Sequence, residues 1–311
     1  MAPDNDADSA DIPPLARGRI SQPEYLQLRE RHIQTLRGVD DLARNPKMRS
    51  SAIRGMELQE QFYRNFMLPF GATAGPVGFA VPTWTELGPS PLPNGQTDPN
   101  LNPANEVPVS GRVTAIAIDP TDANIVYVGA AQGGLYRTLD GGTTWTPLMD
   151  AAQSLAIGAI TIDPLNRNTV FIGTGEGNFS ADCFFGVGVY VIQNATTTAN
   201  LSGPFHLSTD ATPIDLFTGR SITKILVNPA NDNQVMVSTA SGFSGLSADV
   251  FSVLPTRGVY VSQNALSPTP TFTRLTIQTP TTNQSVTDIE MDPADPTRVV
   301  VNVFGSPGVA E

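Results

Sequence analysis

Three carboxylates stand in surroundings that could do chemistry: Glu176, Asp182 and Asp249. Asp182 and Asp249 occupy two copies of one pattern, Ser180-Ala181-Asp182-Cys183-Phe184 and Ser247-Ala248-Asp249-Val250-Phe251. Glu176 belongs to the run Gly173-Thr174-Gly175-Glu176-Gly177-Asn178; Phe179, Phe184 and Phe185 lie near it and Asp182 in the chain, and Phe243 and Phe251 near Asp249. An apolar surface with a few convergent polar groups is how sites for small molecules and sugars are built. Two carboxylates roughly 5–10 Å apart would suffice for the acid and base work of glycoside hydrolysis. The competing reading is structural. Loop aspartates commonly accept hydrogen bonds from nearby backbone N–H groups, and the phenylalanines can form a satellite core beneath two long loops.

Other chemistries are harder to place. The glycine-rich run is not a phosphate loop, because no Lys-Ser/Thr follows it and an aromatic stretch replaces the helix such a loop needs. A single cysteine, Cys183, rules out an intrachain disulfide framework and a Cys-based zinc site. His32 and His206 lie far apart and match no metal-ligand spacing. Ca²⁺ could be held by Asp182, Asp249 and backbone carbonyls, but no ligand spacing specifies it, and no other cofactor is expected. The net charge of −11 and pI of about 4.6 argue against nucleic acid or an anionic membrane as partner. No apolar run reaches the ~18 residues of a membrane span. The first residues, Met1-Ala2-Pro3-Asp4-Asn5-Asp6-Ala7-Asp8, lack the basic and apolar regions of a secretory signal.

The chain of 311 residues is long enough to bury a sizeable core. Charged residues make up only 15%, and 27 glycines accompany 27 prolines, a balance that favours many short strands joined by turns. Residues 1–20 read as a disordered acidic lead-in. Ser21-Gln22-Pro23-Glu24 is a capping box with proline in the first turn, so a helix should begin there. A second helical run spans about 46–67, and together they make a helical extension over 21–68, with a charged face that is either solvated or a docking surface. Residues 69–110 read as a linker containing one strand, Thr83-Trp84-Thr85-Glu86-Leu87, followed by Pro/Asn/Gly-rich coil to Ser110.

From Gly111 a repeat governs the chain. Four units end their first strand at Asp119-Pro120, Asp163-Pro164, Asn228-Pro229 and Asp292-Pro293. Second strands follow at 125–129, 170–173, 235–239 and 299–304, and third strands at Gly134–Thr138, Gly188–Ile192 and Gly258–Ser262. Fourth strands carry an aromatic residue, at Trp145, Phe205 and Phe272. Thr83–Leu87 has the same signature and is expected to close the last sheet as its outer strand. The fourth unit should stop after two strands, giving about three and a half units, with the remainder supplied beyond residue 311 or by another chain. The first unit also carries Thr138-Leu139-Asp140-Gly141-Gly142-Thr143-Thr144-Trp145, in which an Asp followed by two glycines specifies a tight hairpin turn. Degraded copies stand at Gln193-Asn194 and Gln263-Asn264.

These residues resemble the Asp-box (BNR) repeat β-propellers, which include sialidases, sortilin-type receptor domains, photosystem assembly factors and xyloglucan-cleaving glycoside hydrolases. The matching residues are Gly111-Arg112-Val113-Thr114, Ile118-Asp119-Pro120, Tyr127-Val128-Gly129 and Gly133-Gly134-Leu135-Tyr136-Arg137 running into the box; Gly173–Asn178 is similar to an element of uncharacterised bacterial members. The resemblance implies an all-β fold, a propeller of four-stranded blades over 111–311, with Thr138, Asp140, Gly142, Thr144 and Trp145 as a structural turn. It also implies that the long connections at 174–188 and 240–257 share the face opposite the Asp-box hairpins. Arg112 and Arg220, each after Ser/Thr-Gly, would then start inner strands and could face a central channel. Two enzymatic expectations fail: the catalytic Asp of the xyloglucan-cleaving members corresponds to Ala131, and the Arg-Ile-Pro element of sialidases is missing. The leading expectation is therefore a non-catalytic binding or scaffold module, extracellular or at a bacterial cell surface, taking a glycan or protein through Arg112, Arg220, Phe179, Phe184, Phe243 and Phe251. A polysaccharide hydrolase using Glu176, Asp182 or Asp249 is the second expectation, and an assembly factor docking through 21–68 the third.

Overall fold

The computed structural model describes residues 107–177, 183–241, 254–276, 284–292, 295, 297–304 and 309–310, with short pieces at 28, 54–55, 58–59, 61 and 92–95. The six described residues within 21–68 (Leu28, Arg54, Gly55, Leu58, Gln59 and Gln61) are helical and exposed. The lead-in at 1–20 and the strand expected at 83–87 lie outside the described residues. The chain divides into two compact units, residues 1–25 with 47–110 and residues 26–46 with 111–311. The first contains an antiparallel pair, β1 (Leu92–Gly95) and β2 (Val107–Val109), where composition predicts coil.

The second unit is built from four antiparallel meanders. Sheet 1 has β3 (Val113–Ile118), β4 (Val126–Ala130), β5 (Gly134–Thr138) and β6 (Thr146–Pro147). Sheet 2 has β7 (Ile157–Ile162), β8 (Val170–Thr174), β9 (Val189–Gln193) and β10 (Asn200–Phe205). The chain then crosses: β11 (Leu207–Ser208) adds in parallel to the outer edge of sheet 3, beside β15. Sheet 3 proper is β12 (Arg220–Asn228), β13 (Asn231–Ser241), β14 (Gly258–Ser262) and β15 (Thr271–Arg274). Sheet 4 has β16 (Val286–Met291), β17 (Val299–Val303) and β18 (Val309–Ala310). The fourth unit, expected to have two strands, thus has a third, because Gly308-Val309 repeats the Gly-Leu/Val opening of β5, β9 and β14.

Each first strand carries the same irregularity. The register slips between residues 113 and 115, 157 and 159, 222 and 224, and 286 and 288, so a bulge sits five residues before every Asp or Asn anchor. A bulge turns a side chain out of the pleat, and here it joins neighbouring sheets. Thr114 donates its hydroxyl to the Ile157 carbonyl (2.6 Å), and Thr223 does the same to the Val286 carbonyl (2.7 Å). At the second unit the bulged residue is Gly158, where a Cβ would lie 2.1 Å from the Ile222 carbonyl oxygen. Glycine is required there by a backbone-to-backbone approach.

The sheets also interlock through one apolar residue. Ile157, Ile222 and Val286, one position before the bulge, are fully buried. Ile157 and Ile222 press on Gly129 and Gly173 of the preceding sheet, where a Cβ would meet their Cγ2 atoms at 2.4 and 2.3 Å. Their equivalent in sheet 1, Val113, is 51% exposed. Three apolar clusters fill the intervals between successive sheets: one around Tyr127, Leu135 and Tyr190, one around Phe171, Phe217 and Tyr260, and one around Val259, Ile289 and Val301. Burying such side chains contributes roughly 1.5–3 kcal/mol each.

Candidate functional site

The Asp140 carboxylate is held by residues of its own turn. Asp140 Oδ1 accepts from the Thr138 hydroxyl (2.7 Å) and the Thr144 backbone N–H (2.9 Å), and Oδ2 accepts from the Thr144 hydroxyl (2.6 Å). The Thr138 hydroxyl oxygen in turn accepts from the Gly142 N–H, and Trp145 Nε1 donates to the Gly142 carbonyl. Hydrogen bonds from the Thr144 side chain and backbone, then from Thr138, stabilise the ionised carboxylate and bring its pKa down to about 2. Gly141 and Gly142 have φ of +69° and +94°, the left-handed conformation the turn needs.

The copy at 263–264 keeps this wiring although its sequence has lost the motif. Asn264 Oδ1 accepts from the Ser262 hydroxyl (3.1 Å) and the Thr271 N–H (3.0 Å), as Asp140 does from Thr138 and Thr144. All three hairpins are pinned to the preceding turn of their own sheet by one backbone bond: Gly141 N–H to Asn124, Ala195 N–H to Asn168 and Ala265 N–H to Asn233. Beneath those turns lie the buried anchors Asp119 and Asp163. Burial pushes the Asp119 carboxyl up, but hydrogen bonds from Thr121 and Asp122 and the Arg167 guanidinium carry it below its usual value. Asp163 is raised: burial dominates its bond from the Leu165 N–H, and the charge of Asp232 adds to it. This end of the molecule is turn architecture.

At the opposite end the 174–188 connection bonds to residues on either side of it. Gly175 N–H donates to the Ala156 carbonyl, Ser154 Oγ to the Phe185 carbonyl, and Gly186 N–H to the Arg220 carbonyl. Glu176 lies among them with no exposed surface. Arg112 Nη2 is 2.5 Å from Glu176 Oε1, and the Ser221 hydroxyl donates to the Glu176 carbonyl (2.8 Å). Counted back from their anchors, Arg112 and Ser221 hold the same position, seven before Asp119 and Asn228. Gly175 makes the approach possible, with φ +92° and a hypothetical Cβ 2.6 Å from Ser221 Cα and from the Arg220 carbonyl oxygen. Glu176 is thus clipped between the first strands of sheets 1 and 3.

This geometry corrects the pairing of the two arginines. Arg220 is offset from Arg112 by one residue of the repeat, and one residue along a strand reverses the face of a side chain. Arg112 keeps about a third of its side-chain surface exposed beside Glu176. Arg220 is buried to 1% exposure and its Nε donates to the Pro255 carbonyl (2.6 Å), so it belongs to the interior of the next connection, not to an open channel. Of the aromatic candidates, Phe184 is half-buried, stacked on the buried Phe185 at 4.7 Å between ring centroids, and its carbonyl accepts from the Glu176 N–H. Asp182, Asp249, Phe179, Phe243 and Phe251 lie outside the described residues. No group of three or more His, Cys, Asp or Glu is placed to hold a metal among the described residues, a set that excludes both proposed Ca²⁺ ligands. Nor, among the described residues, is any helix long and apolar enough to cross a membrane. Ser221 escapes notice in the sequence, and only its count from the Asn228 anchor marks it as the counterpart of Arg112.

No family model matches the chain, and no curated protein matches it. Its likenesses are to solved β-propeller structures. A GH74 xyloglucanase from Xanthomonas campestris is 17% identical with a TM-score of 0.42, and the likeness covers 64% of this chain and 27% of that one. The β-propeller domain of Cps50 (Swd1) from Myceliophteria thermophila is 10% identical with a TM-score of 0.40, covering 63% of this chain and 50% of that one. An auxiliary nutrient binding protein from Bacteroides thetaiotaomicron is 12% identical with a TM-score of 0.38, covering 66% of this chain and 39% of that one. The chain spans about a quarter of the GH74 enzyme and no more than half of the others. Likeness this loose is silent on activity.

Proposed function

We propose that the second unit is an Asp-box-type β-propeller segment acting as a non-catalytic binding module, with its ligand surface on the end that carries the 174–188 and 240–257 connections. The observation that supports this reading is the Arg112–Glu176 ion pair. A general acid or base must reach substrate, and Glu176 is fully buried and paired with Arg112, which favours a structural role for it as the clip that shapes the loop. What it leaves at the rim is the half-buried Phe184 ring, backed by Phe185, and the exposed part of Arg112. A flat apolar platform beside a fixed donor suits a sugar ring or a protein side chain.

Incubation with a panel of immobilised bacterial and plant polysaccharides tests this directly. The expected result is saturable retention without release of reducing ends, weakened at least tenfold by Phe184→Ala. Reducing-end release that disappears in Asp182→Asn or Asp249→Asn would replace the binding reading with hydrolysis.

A further inference from the structure

Successive sheets of the second unit meet through one repeated joint. Its entering side is a first strand, at the residues six, three and one before the anchor. Its receiving side is the second strand of the preceding sheet, at the residues eight and ten past the anchor. Ile157, Ile222, Val286, Ile225 and Ile289 are buried on the entering side, and Ile160 and Ile162 pack against the cluster between sheets 1 and 2. In sheet 1 the same three positions hold Val113, Ile116 and Ile118, which are 51%, 61% and 57% exposed. Sheet 4 shows the receiving side to solvent. Val300 is 40% exposed where Tyr127 and Phe171 are buried, and Asn302 is exposed where the earlier sheets have Gly129 and Gly173.

These two open sides match in detail. Ile157 and Ile222 each enter over a glycine. Val286, shorter by one methylene, enters beside Ser238, and the two meet at the Thr223 hydroxyl, which is 2.7 Å from both Ser238 Oγ and the Val286 carbonyl oxygen. A valine therefore goes with a receiving residue that carries a side chain, as close packing requires. Val113 of sheet 1 and Asn302 of sheet 4 form the same combination. The bulge threonine is in place as well. Thr114 donates to the Gly129 carbonyl of its own sheet (3.1 Å) and to the Ile157 carbonyl of the next (2.6 Å). Thr287 donates to the Asn302 carbonyl of its own sheet (3.4 Å) and, among the described residues, to no carbonyl of another sheet. The Val113 carbonyl stands at the repeat position of that second acceptor.

We infer that sheet 1 is a docking surface for sheet 4 of a second copy of this chain, joined head to tail by the same joint that links the sheets within each copy. The entering side of sheet 1 carries no charge at its three positions, so nothing charged is desolvated there when it is covered. Both halves of the joint belong to this chain and fit each other in residue size and hydrogen bonding, which selects a second copy over an unrelated partner. Such a contact is heterologous, with sheet 1 of one copy meeting sheet 4 of the other. It lies on the flanks of the sheets and does not rest on the ligand surface proposed above.

Sedimentation equilibrium of the full chain tests the inference, together with Ile116→Arg and Asn302→Arg, both at exposed positions. The parent should self-associate with rising concentration. Each variant alone should keep the parent's circular dichroism and associate at least tenfold more weakly. Every junction needs one sheet 1 side and one sheet 4 side, so each variant alone has lost one half of it. An equimolar mixture of the two retains one intact half on each molecule and should form a complex of twice the chain mass. A parent that stays monomeric up to its solubility limit would overturn the inference. So would undiminished association of either variant, which would place the contact on another surface, or a mixture that stays monomeric.

Discussion

Arg112 and Ser221 stand at one position of the repeat in sheets 1 and 3, and both reach Glu176, the guanidinium through the carboxylate at 2.5 Å and the hydroxyl through the main-chain carbonyl at 2.8 Å. A residue of sheet 2's long connection therefore reports on two sheets at once. The pairing also sets the sign of what happens when one member is removed.

Replacing Arg112 with Leu leaves the buried Glu176 carboxylate without its guanidinium. Loss of one member of a buried pair costs about 3–5 kcal/mol; with a third of the Arg112 side chain in water, about 2 kcal/mol is expected. The Arg112→Leu/Glu176→Gln double variant should recover at least half of that. Urea midpoints at pH 7 check the comparison, and a double variant no more stable than Arg112→Leu would contradict the ion pair.

Gly158→Ala should be among the most damaging single-methyl additions. Its Cβ would lie 2.1 and 2.2 Å from the carbonyl oxygens of Ile222 and Gly175, both backbone atoms that cannot step aside. Separating the sheets is expected to cost about 3 kcal/mol or more. Gly111→Ala, with nothing within 4 Å, serves as the control and should change the thermal midpoint by under about 2 °C.

Acid should open the Asp140 turn late. The folded pKa, about 2, lies below the unfolded value near 3.8, so the stabilisation is complete above pH 4 and disappears as pH falls toward 2. In a Trp84→Phe background, Trp145 fluorescence should follow that fall, because its indole N–H bonds to Gly142 within the turn. In Asp140→Asn the dependence should vanish. A transition in the parent protein centred above pH 4 would contradict the assignment.

The two buried anchors should respond oppositely to the same change. Asp163 has a raised pKa, so its contribution to stability is present at acid pH and lost as pH rises above its unfolded value. Asp163→Asn removes the buried charge and keeps an acceptor for the Leu165 N–H, as Asn228 does for Ala230 in the third unit. It should be neutral or stabilising at pH 7. Asp119 is depressed, so its contribution is present above its unfolded pKa and lost below. Asp119→Asn forfeits Arg167 and should destabilise by about 1 kcal/mol at pH 7. Thermal midpoints of the two variants at pH 7 settle the contrast.

The strands were legible because their cause is local. Alternating apolar residues ending at Asp119, Asp163, Asn228 and Asp292 place β3, β7, β12 and β16, and Gly-x-Tyr places β5, β9 and β14, since period two and turn residues act within a few residues of one another. The intact turn at Asp140 was readable for the same reason. The degraded copy at Gln263-Asn264 was readable by position but its wiring was not, because its seventh-residue partner Thr271 replaces the box's fourth-residue spacing, and only the folded hairpin brings them together.

The candidate site fared differently. Glu176, Arg112, Arg220 and Phe184 stand out by residue type and neighbourhood, but type alone does not say which charge is exposed. The one-residue offset between Arg112 and Arg220 buries one and pairs the other, a distinction that arises from the parity of strands anchored 109 residues apart at Asp119 and Asn228. Order along the chain establishes the repeat, because turns and pleats are short-range. Which of its polar groups face solvent, and which are spent on holding sheets together, follow from contacts between sheets, which no local pattern encodes.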